Sequence, residues 1–361
     1  MRDTRRVVFR PRIVCALQLP PPLHGVTAMN DQLIASEALH DRFELDVVPL
    51  QFSATVAELG RLTPRKLIRA GLVAAQLARR FARRPAAFYL TLAPQRPAIA
   101  RDVAYLALAR AAGVRRIVHL HARPEPSVLP LLRRALRGAT VILLARSLRG
   151  DLGDAVDDAR VHYVANGIPD VGAQVRDVRA APRILFLSHL LPNKGPLVLI
   201  EALCELARRG VAFEATFAGA PTPAISAEMI RARLAPLESR ARYLAEVDPA
   251  RTPALMAEHD VLAYPTRADA FPRVMVEALR AGMAIVASDV GAIAELVGDA
   301  ALLVPPGDPR ALANSLAQLL VTPMVRAELG DHARARYCAH YTVERWEASL
   351  GAAIEAALST R

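Results

Sequence analysis

The stretch Tyr264-Pro265-Thr266-Arg267-Ala268-Asp269-Ala270-Phe271-Pro272-Arg273-Val274-Met275-Val276-Glu277-Ala278-Leu279-Arg280-Ala281-Gly282 decides how this chain folds. A short apolar run, Val261–Tyr264, leads into it, and another, Met283–Ser288, leads out. Both read as buried strands. Between them lie two carboxylates, Asp269 and Glu277, eight residues apart. The Phe271-Pro272 turn reads as a helix start and Gly282 as its stop. Pro272 suits the first helical position, where a missing N–H costs nothing. The amides of Arg273, Val274 and Met275 are then expected to face outward, where a diphosphate can meet them. Glu277 falls about 1.5 turns into the helix, within reach of a ribose. A carboxylate just before such a helix can bind sugar hydroxyls. The combination suits a nucleotide-sugar and points to glycosyl transfer.

Strand-like runs alternate with helical patterns along the whole chain, the mark of parallel α/β architecture. In the first half, strands are expected at Ile13–Leu17, Leu45–Pro49, Ala87–Leu92, Arg116–Leu120, Thr140–Ala145 and Val161–Val164. Helices are expected between them, among them Ala28–Leu39, Pro64–Arg83 and Pro97–Ala112. The chain turns at Asn166-Gly167-Ile168-Pro169, and residues 170–182 read as a linker. A second series follows: Arg183–Ser188, Phe213–Ala218, Ala241–Val247, Val261–Tyr264, Ala284–Ser288 and Ala301–Val304. The expected fold is two Rossmann-like, doubly wound parallel sheets facing a central cleft. No G-x-G-x-x-G follows the first strand and no G-x-x-x-x-G-K-[ST] occurs, which argues against a dinucleotide oxidoreductase and a P-loop NTPase.

A chain of 361 residues suits two domains rather than one core. No apolar run reaches the length of about 18 residues that a spanning helix needs. Ile13–Leu17 runs into Pro20-Pro21-Pro22 and reads as a first strand, not a targeting signal. Three unclustered cysteines, Cys15, Cys204 and Cys338, give neither a disulfide framework nor a metal site, so a reduced cytoplasm is expected. Charge is unevenly placed. Residues 1–170 hold 26 Lys and Arg against 14 Asp and Glu, whereas residues 171–361 hold 20 against 21. Within 61–149 the only acids are Asp102 and Glu125, against 19 basic residues. This is a solvated basic surface or a patch that meets anionic phospholipid or a polyprenyl-phosphate acceptor. Sparse aromatics argue against nucleic acid.

Three further stretches could carry chemistry. Leu19-Pro20-Pro21-Pro22-Leu23-His24-Gly25-Val26-Thr27 follows the first strand. A tight turn at Gly25 opening a helix can set backbone amides against a phosphate, or it is a plain strand-to-helix turn. Ile117-Val118-His119-Leu120-His121-Ala122 puts two histidines on one face at the C-terminal end of a strand, where open α/β sheets place ligands. They can be core histidines. They also suggest metal, although no Asp, Glu or Cys follows at ligand spacing. The third stretch is Leu185-Phe186-Leu187-Ser188-His189-Leu190-Leu191-Pro192-Asn193-Lys194-Gly195.

The stretch from Asp269 onward resembles the acid-x7-acid motif of the retaining glycosyltransferases of family 4, which have the two-domain GT-B fold. Asp269 stands for the first Glu of that motif, Ala270 and Pro272 for its two Gly, and Glu277, Ala278, Gly282, Ser288, Gly291 and Glu295 match it directly. Ala292 replaces a further Gly. The Lys194 stretch looks like the family's Val-Gly-Arg-Leu-x-x-x-Lys-Gly, with His189 in the Arg position. The resemblance is strong across 183–300, moderate at 11–30 and 115–122, and poor at 45–110. It implies an N-terminal acceptor domain at 1–169, a nucleotide-sugar domain at 170–334, and a last helix, 335–361, that includes Trp346 and crosses back.

The resemblance also implies roles. Lys194 and His189 hold the diphosphate, Asp269 the donor sugar and Glu277 the ribose, with Gly25, Phe271, Arg273 and Val274 around the nucleotide. One histidine, preferably His121, bonds the sugar near its anomeric centre. Catalytic residues are then His121, Asp269, Glu277 and Lys194. No metal and no cofactor is expected beyond the NDP-sugar substrate. The implied activity is retaining transfer from an NDP-sugar to a lipid-linked or saccharide acceptor for surface polysaccharide or glycolipid. The setting is the inner face of the cell membrane, where the basic N-terminal domain meets anionic lipid. Competing readings are a GT-B epimerase or phosphorylase, and a catalytically silent GT-B module that binds membrane or a partner.

Overall fold

The computed structural model describes residues 10–21, 25–52, 63–172 and 181–360. The chain forms two compact units, Met1–Ala165 with Trp346–Arg361, and Asn166–Arg345. Each holds a six-stranded sheet whose strand pairs are all parallel among the described residues.

In the first unit the strands are β1 (Arg12–Leu17), β2 (Glu44–Pro49), β3 (Ala87–Leu92), β4 (Arg115–Leu120), β5 (Thr140–Leu143) and β6 (Val161–Tyr163), in the order β2-β1-β3-β4-β5-β6. Every residue of β3 is buried, as a strand covered on both faces requires. Val14, Ala16, Phe88, Leu90, Val118 and Val141 share one core with Leu77 and Phe81 of helix α3 (Pro64–Phe81). The helix expected at Ala28–Leu39 is two: α1 (Gly25–Ala35) and α2 (Glu37–Arg42). Ser36 explains the break, because its extended backbone and side chain cap the Leu39 amide and its hydroxyl reaches Glu347 at 2.6 Å. Helix α4 (Ala98–Ala111) follows β3.

In the second unit β7 (Arg183–Leu187), β8 (Glu214–Ala218), β9 (Ala241–Tyr243), β10 (Val261–Tyr264), β11 (Ala284–Ser288) and β12 (Ala301–Val304) lie in the order β12-β11-β10-β7-β8-β9. The β9 strand ends four residues before the expected Val247. Ala245 takes a positive φ of 59°, which breaks the extended run. The sheet reverses its direction of growth between β7 and β10, the position where open α/β sheets leave a crevice beyond the strand ends.

Helix α9 (Arg273–Arg280) connects β10 to β11 and closes with a Schellman arrangement. The Gly282 amide bonds Leu279 at 3.0 Å and the Met283 amide bonds Ala278 at 3.1 Å, with Gly282 at φ 63°. Helix α12 (Pro323–His340) packs on α9, and α13 (Val343–Ser359) carries the chain back into the first unit from Trp346. Residues 335–345 thus pack within the second unit. At the head of the expected linker, Asp170 accepts two bonds from Arg334, at 2.8 and 2.6 Å. Residues 173–180 of that linker lie outside the described residues. Among the described residues no helix is long and apolar enough to cross a membrane.

Candidate active site

The loops that follow β7, β10 and β11 interlock beyond the switch point. Gly195 has φ 74°, and a Cβ there would stand 2.0 Å from the Pro265 carbonyl oxygen. Gly291 has φ 58°, and its Cβ would stand 1.9 Å from the Asp269 oxygen. Only glycine fits either position. Side chains and amides complete the closure. Asn193's carbonyl accepts from the Arg267 amide at 2.7 Å and from the buried Thr266 hydroxyl at 3.0 Å. The Ala292 amide bonds the Ala270 carbonyl at 3.2 Å.

This closure brings Lys194 onto Asp269, 75 positions away in sequence. Their ammonium and carboxylate are in direct contact, and both side chains are largely buried. Tyr264, the last residue of β10, donates its hydroxyl to the same Asp269 oxygen at 2.7 Å and lies 3.3 Å from the Lys194 ammonium. Burial, reinforced by the Asp269 charge, pushes the Tyr264 phenol far above its ordinary range, so it stays a donor. Sequence reasoning did not assign Tyr264 to the site. Its signal is positional: a polar aromatic at the end of a strand beside the switch point.

At α9 the structure shifts the expected register by one. Pro272 is not the first helical residue but the cap before it, with ψ 122°. Its carbonyl accepts from the Met275 amide at 3.1 Å, so Met275 has no outward donor. The amides of Arg273 and Val274 are the ones at the helix start that lack an intrahelical acceptor. Glu277 pairs with Arg273 one turn back, Nε to Oε1 at 3.1 Å. Burial raises the Glu277 carboxyl above its ordinary range, while the Arg273 and Arg280 charges oppose the rise. Arg280 is itself buried and donates to the Pro169 carbonyl at 2.9 Å. Phe271 is buried too, edge-on to Tyr341 with centroids 6.0 Å apart, which makes it a support for the loop. His189 is exposed two residues past β7, at the start of the loop that follows it, and Glu295 is exposed on a short helix.

The remaining expected residues belong to the first unit. His119 is buried, with Nδ1 2.6 Å from the Tyr89 hydroxyl. Burial, then the nearby His121, hold its imidazole well below the ordinary range and so neutral. The His121 ring is half-buried and lies 4.0 Å from the His119 ring. Of the two, His121 is the accessible one. Gly25 is the exposed first residue of α1 and has no positive φ, so no tight left-handed turn occurs at that residue. Residues 22–24 of the stretch before it lie outside the described residues. Among the described residues no group of three His, Cys, Asp or Glu is placed to hold a metal ion.

Two doubly wound parallel-sheet units, the second with loops interlocked at its switch point, make this the GT-B fold. Solved structures agree. The Anabaena protein HepE, crystallised with UDP-glucose, superposes with a TM-score of 0.75 over 96% of this chain and 100% of its own, at 18% identity. Sucrose-phosphate synthase from Thermosynechococcus elongatus gives 0.73 over 96% and 98%, at 17% identity. Residues 181–322 match the family model described as Glycosyl transferases group 1. D-inositol 3-phosphate glycosyltransferase of Corynebacterium efficiens is 33% identical over 162 residues, 42% of this chain and 38% of that protein. Phosphatidyl-myo-inositol mannosyltransferase of Mycobacterium tuberculosis is 32% identical over 178 residues, 48% of this chain and 45% of that protein. The chain thus spans less than half the length of these curated relatives.

Two consequences can be measured. Gly291→Ala forces a methyl group into the Asp269 carbonyl, and is expected to cost at least about 2 kcal/mol in urea unfolding. An unchanged midpoint would mean that the loop relaxes freely. The native state also holds the Glu277 proton more tightly than the unfolded chain, whose glutamates titrate near about 4.3. Its contribution to stability therefore falls as pH rises from there through the native value. Glu277→Gln should flatten that part of the curve of thermal midpoint against pH; identical slopes would contradict the assignment.

Proposed function

We propose that the protein is a retaining glycosyltransferase that takes a sugar from an NDP-sugar and needs no metal. The observation that carries this reading is the group Lys194, Tyr264 and Asp269 beside the start of α9, at the switch point of a sheet in the stretch that matches the glycosyl transferases group 1 model. Asp269 takes hydroxyls of the donor sugar and Glu277 the ribose. Lys194 and the amides of Arg273 and Val274 stabilise charge on the departing diphosphate. His121 hydrogen-bonds the sugar near its anomeric carbon, and His189 and the Gly25 backbone contribute further phosphate contacts. The resemblance supports a front-face route, in which the leaving diphosphate helps deprotonate the acceptor. The enzyme then works by positioning reactants and stabilising charge.

The acceptor is lipid-linked or saccharide, and the product is a surface polysaccharide or glycolipid. The relatives named above for inositol phosphate and phosphatidyl-myo-inositol support a phosphate-bearing or lipid acceptor. The membrane setting draws support from α3. This helix buries Val73, Leu77 and Phe81, yet leaves Leu67, Ile68 and Leu72 at 57, 67 and 61% exposure. Exposed Arg65, Arg69 and Arg79 lie along the same helix. An apolar stripe between cationic ends suits an anionic bilayer surface on the cytoplasmic side.

Thermal shift with UDP-, GDP-, ADP- and TDP-sugars tests the donor site. A donor at about 100 times its dissociation constant should add about 2.7 kcal/mol to the wild type. Glu277→Ala should abolish the shift. Stabilisation by no donor would favour a silent module instead. Flotation tests the membrane setting: binding to anionic vesicles and not to neutral ones is expected, and equal binding to both or to neither would remove α3 from that role.

A further inference from the structure

The charged groups of the donor site close on one another. Lys194 contacts Asp269 and Arg273 contacts Glu277, two cations against two carboxylates. A multiply charged diphosphate entering this site needs a cation that can leave its partner. Lys194 is a poor candidate for large movement: it is largely buried and also lies within 3.3 Å of the Tyr264 hydroxyl, in a network fixed by Gly195 and Gly291. Arg280 is buried and spends a donor on Pro169. His189 is exposed and no contact ties it to the start of α9 among those described.

Arg273 differs from all three. It is the first residue of α9, next to the two outward amides, and its side chain is 34% exposed. Its pair with Glu277 is a single contact through Nε within one helix. The Nε is buried and the contact lacks hydrogen-bond geometry, so the pair does not hold the guanidinium by a formed hydrogen bond. A guanidinium offers five N–H donors in a planar fork that matches phosphate oxygens.

We infer that the Arg273 guanidinium is a diphosphate ligand of this site, leaving Glu277 when a nucleoside diphosphate binds. The inference rests on the proposed function and deepens it. Glu277 is thereby released to accept from ribose hydroxyls at the same moment, so its buried carboxylate keeps a partner throughout.

The test is titration calorimetry with UDP, GDP, ADP and TDP, and with the nucleoside of whichever diphosphate binds. Arg273→Gln should weaken the diphosphate by about 10- to 100-fold, the loss of a hydrogen bond to a charged group, and the nucleoside far less. Arg273→Lys should recover part of that loss. The double variant Arg273→Gln/Glu277→Gln separates ligation from neutralisation of Glu277. If Arg273 only neutralises Glu277, adding Arg273→Gln to Glu277→Gln costs no further diphosphate affinity, and the inference is overturned. Equal loss for diphosphate and nucleoside, or no loss, also overturns it. A wild type that binds no nucleoside diphosphate overturns the proposed function itself, and is told apart because the failure precedes any substitution.

Discussion

No side chain can stand at Gly195 or Gly291, and the rest of the candidate site depends on that constraint. Parallel strands on either side of a switch point send their loops apart, so something must draw those loops together. Here it is direct backbone contact. Gly195 lies against Pro265 and Gly291 against Asp269, each in a left-handed conformation that other residues adopt only with strain. The buried Thr266 hydroxyl and the Asn193 carbonyl then satisfy polar groups that the close packing has cut off from water. Asp269 is held by its neighbours' backbone before its side chain makes any contact.

Burial gives these side chains their electrostatic character. Asp269 accepts from an ammonium and a phenol together, which compensates a carboxylate removed from water. Tyr264 remains protonated because its anion would sit beside that carboxylate in a poorly solvated place. Glu277 is less well served. Among the described residues it pairs with Arg273 alone, and desolvation outweighs the help it receives from Arg273 and Arg280. A well-satisfied acid and a poorly satisfied one thus stand eight residues apart, on a loop and on the helix it leads into.

Much of this was legible in the sequence because buried parallel strands are written as uninterrupted apolar runs. Ala87–Leu92, Val261–Tyr264, Ala284–Ser288 and Ala301–Val304 are strands with the expected ends. Failures occurred where a single polar or backbone contact overrode a pattern. Ser36 breaks an apolar periodicity that continues through it. Ala245 turns out of β9 although its neighbours favour extension. Pro272 fits both a cap and a first turn, since φ near −70° serves either, and only ψ tells them apart. Phe271 carries no mark that separates a ligand face from a core face. Tyr264 needed the strand order, because adjacency of β7 and β10 across some 75 residues is not written in either strand.

The Arg273–Glu277 pair sets an entry condition for whatever occupies this site. A small inorganic anion can draw the arginine away, but it leaves the glutamate stranded in a dehydrated place. A bare sugar or nucleoside can satisfy the glutamate, but it gives the arginine nothing to hold. Only a molecule that carries a diol and an anion at the right separation repays both halves of the separation. If Arg273 holds the diphosphate as we infer and Glu277 the ribose as we propose, the pair is in that sense a two-key lock that selects against bare phosphates.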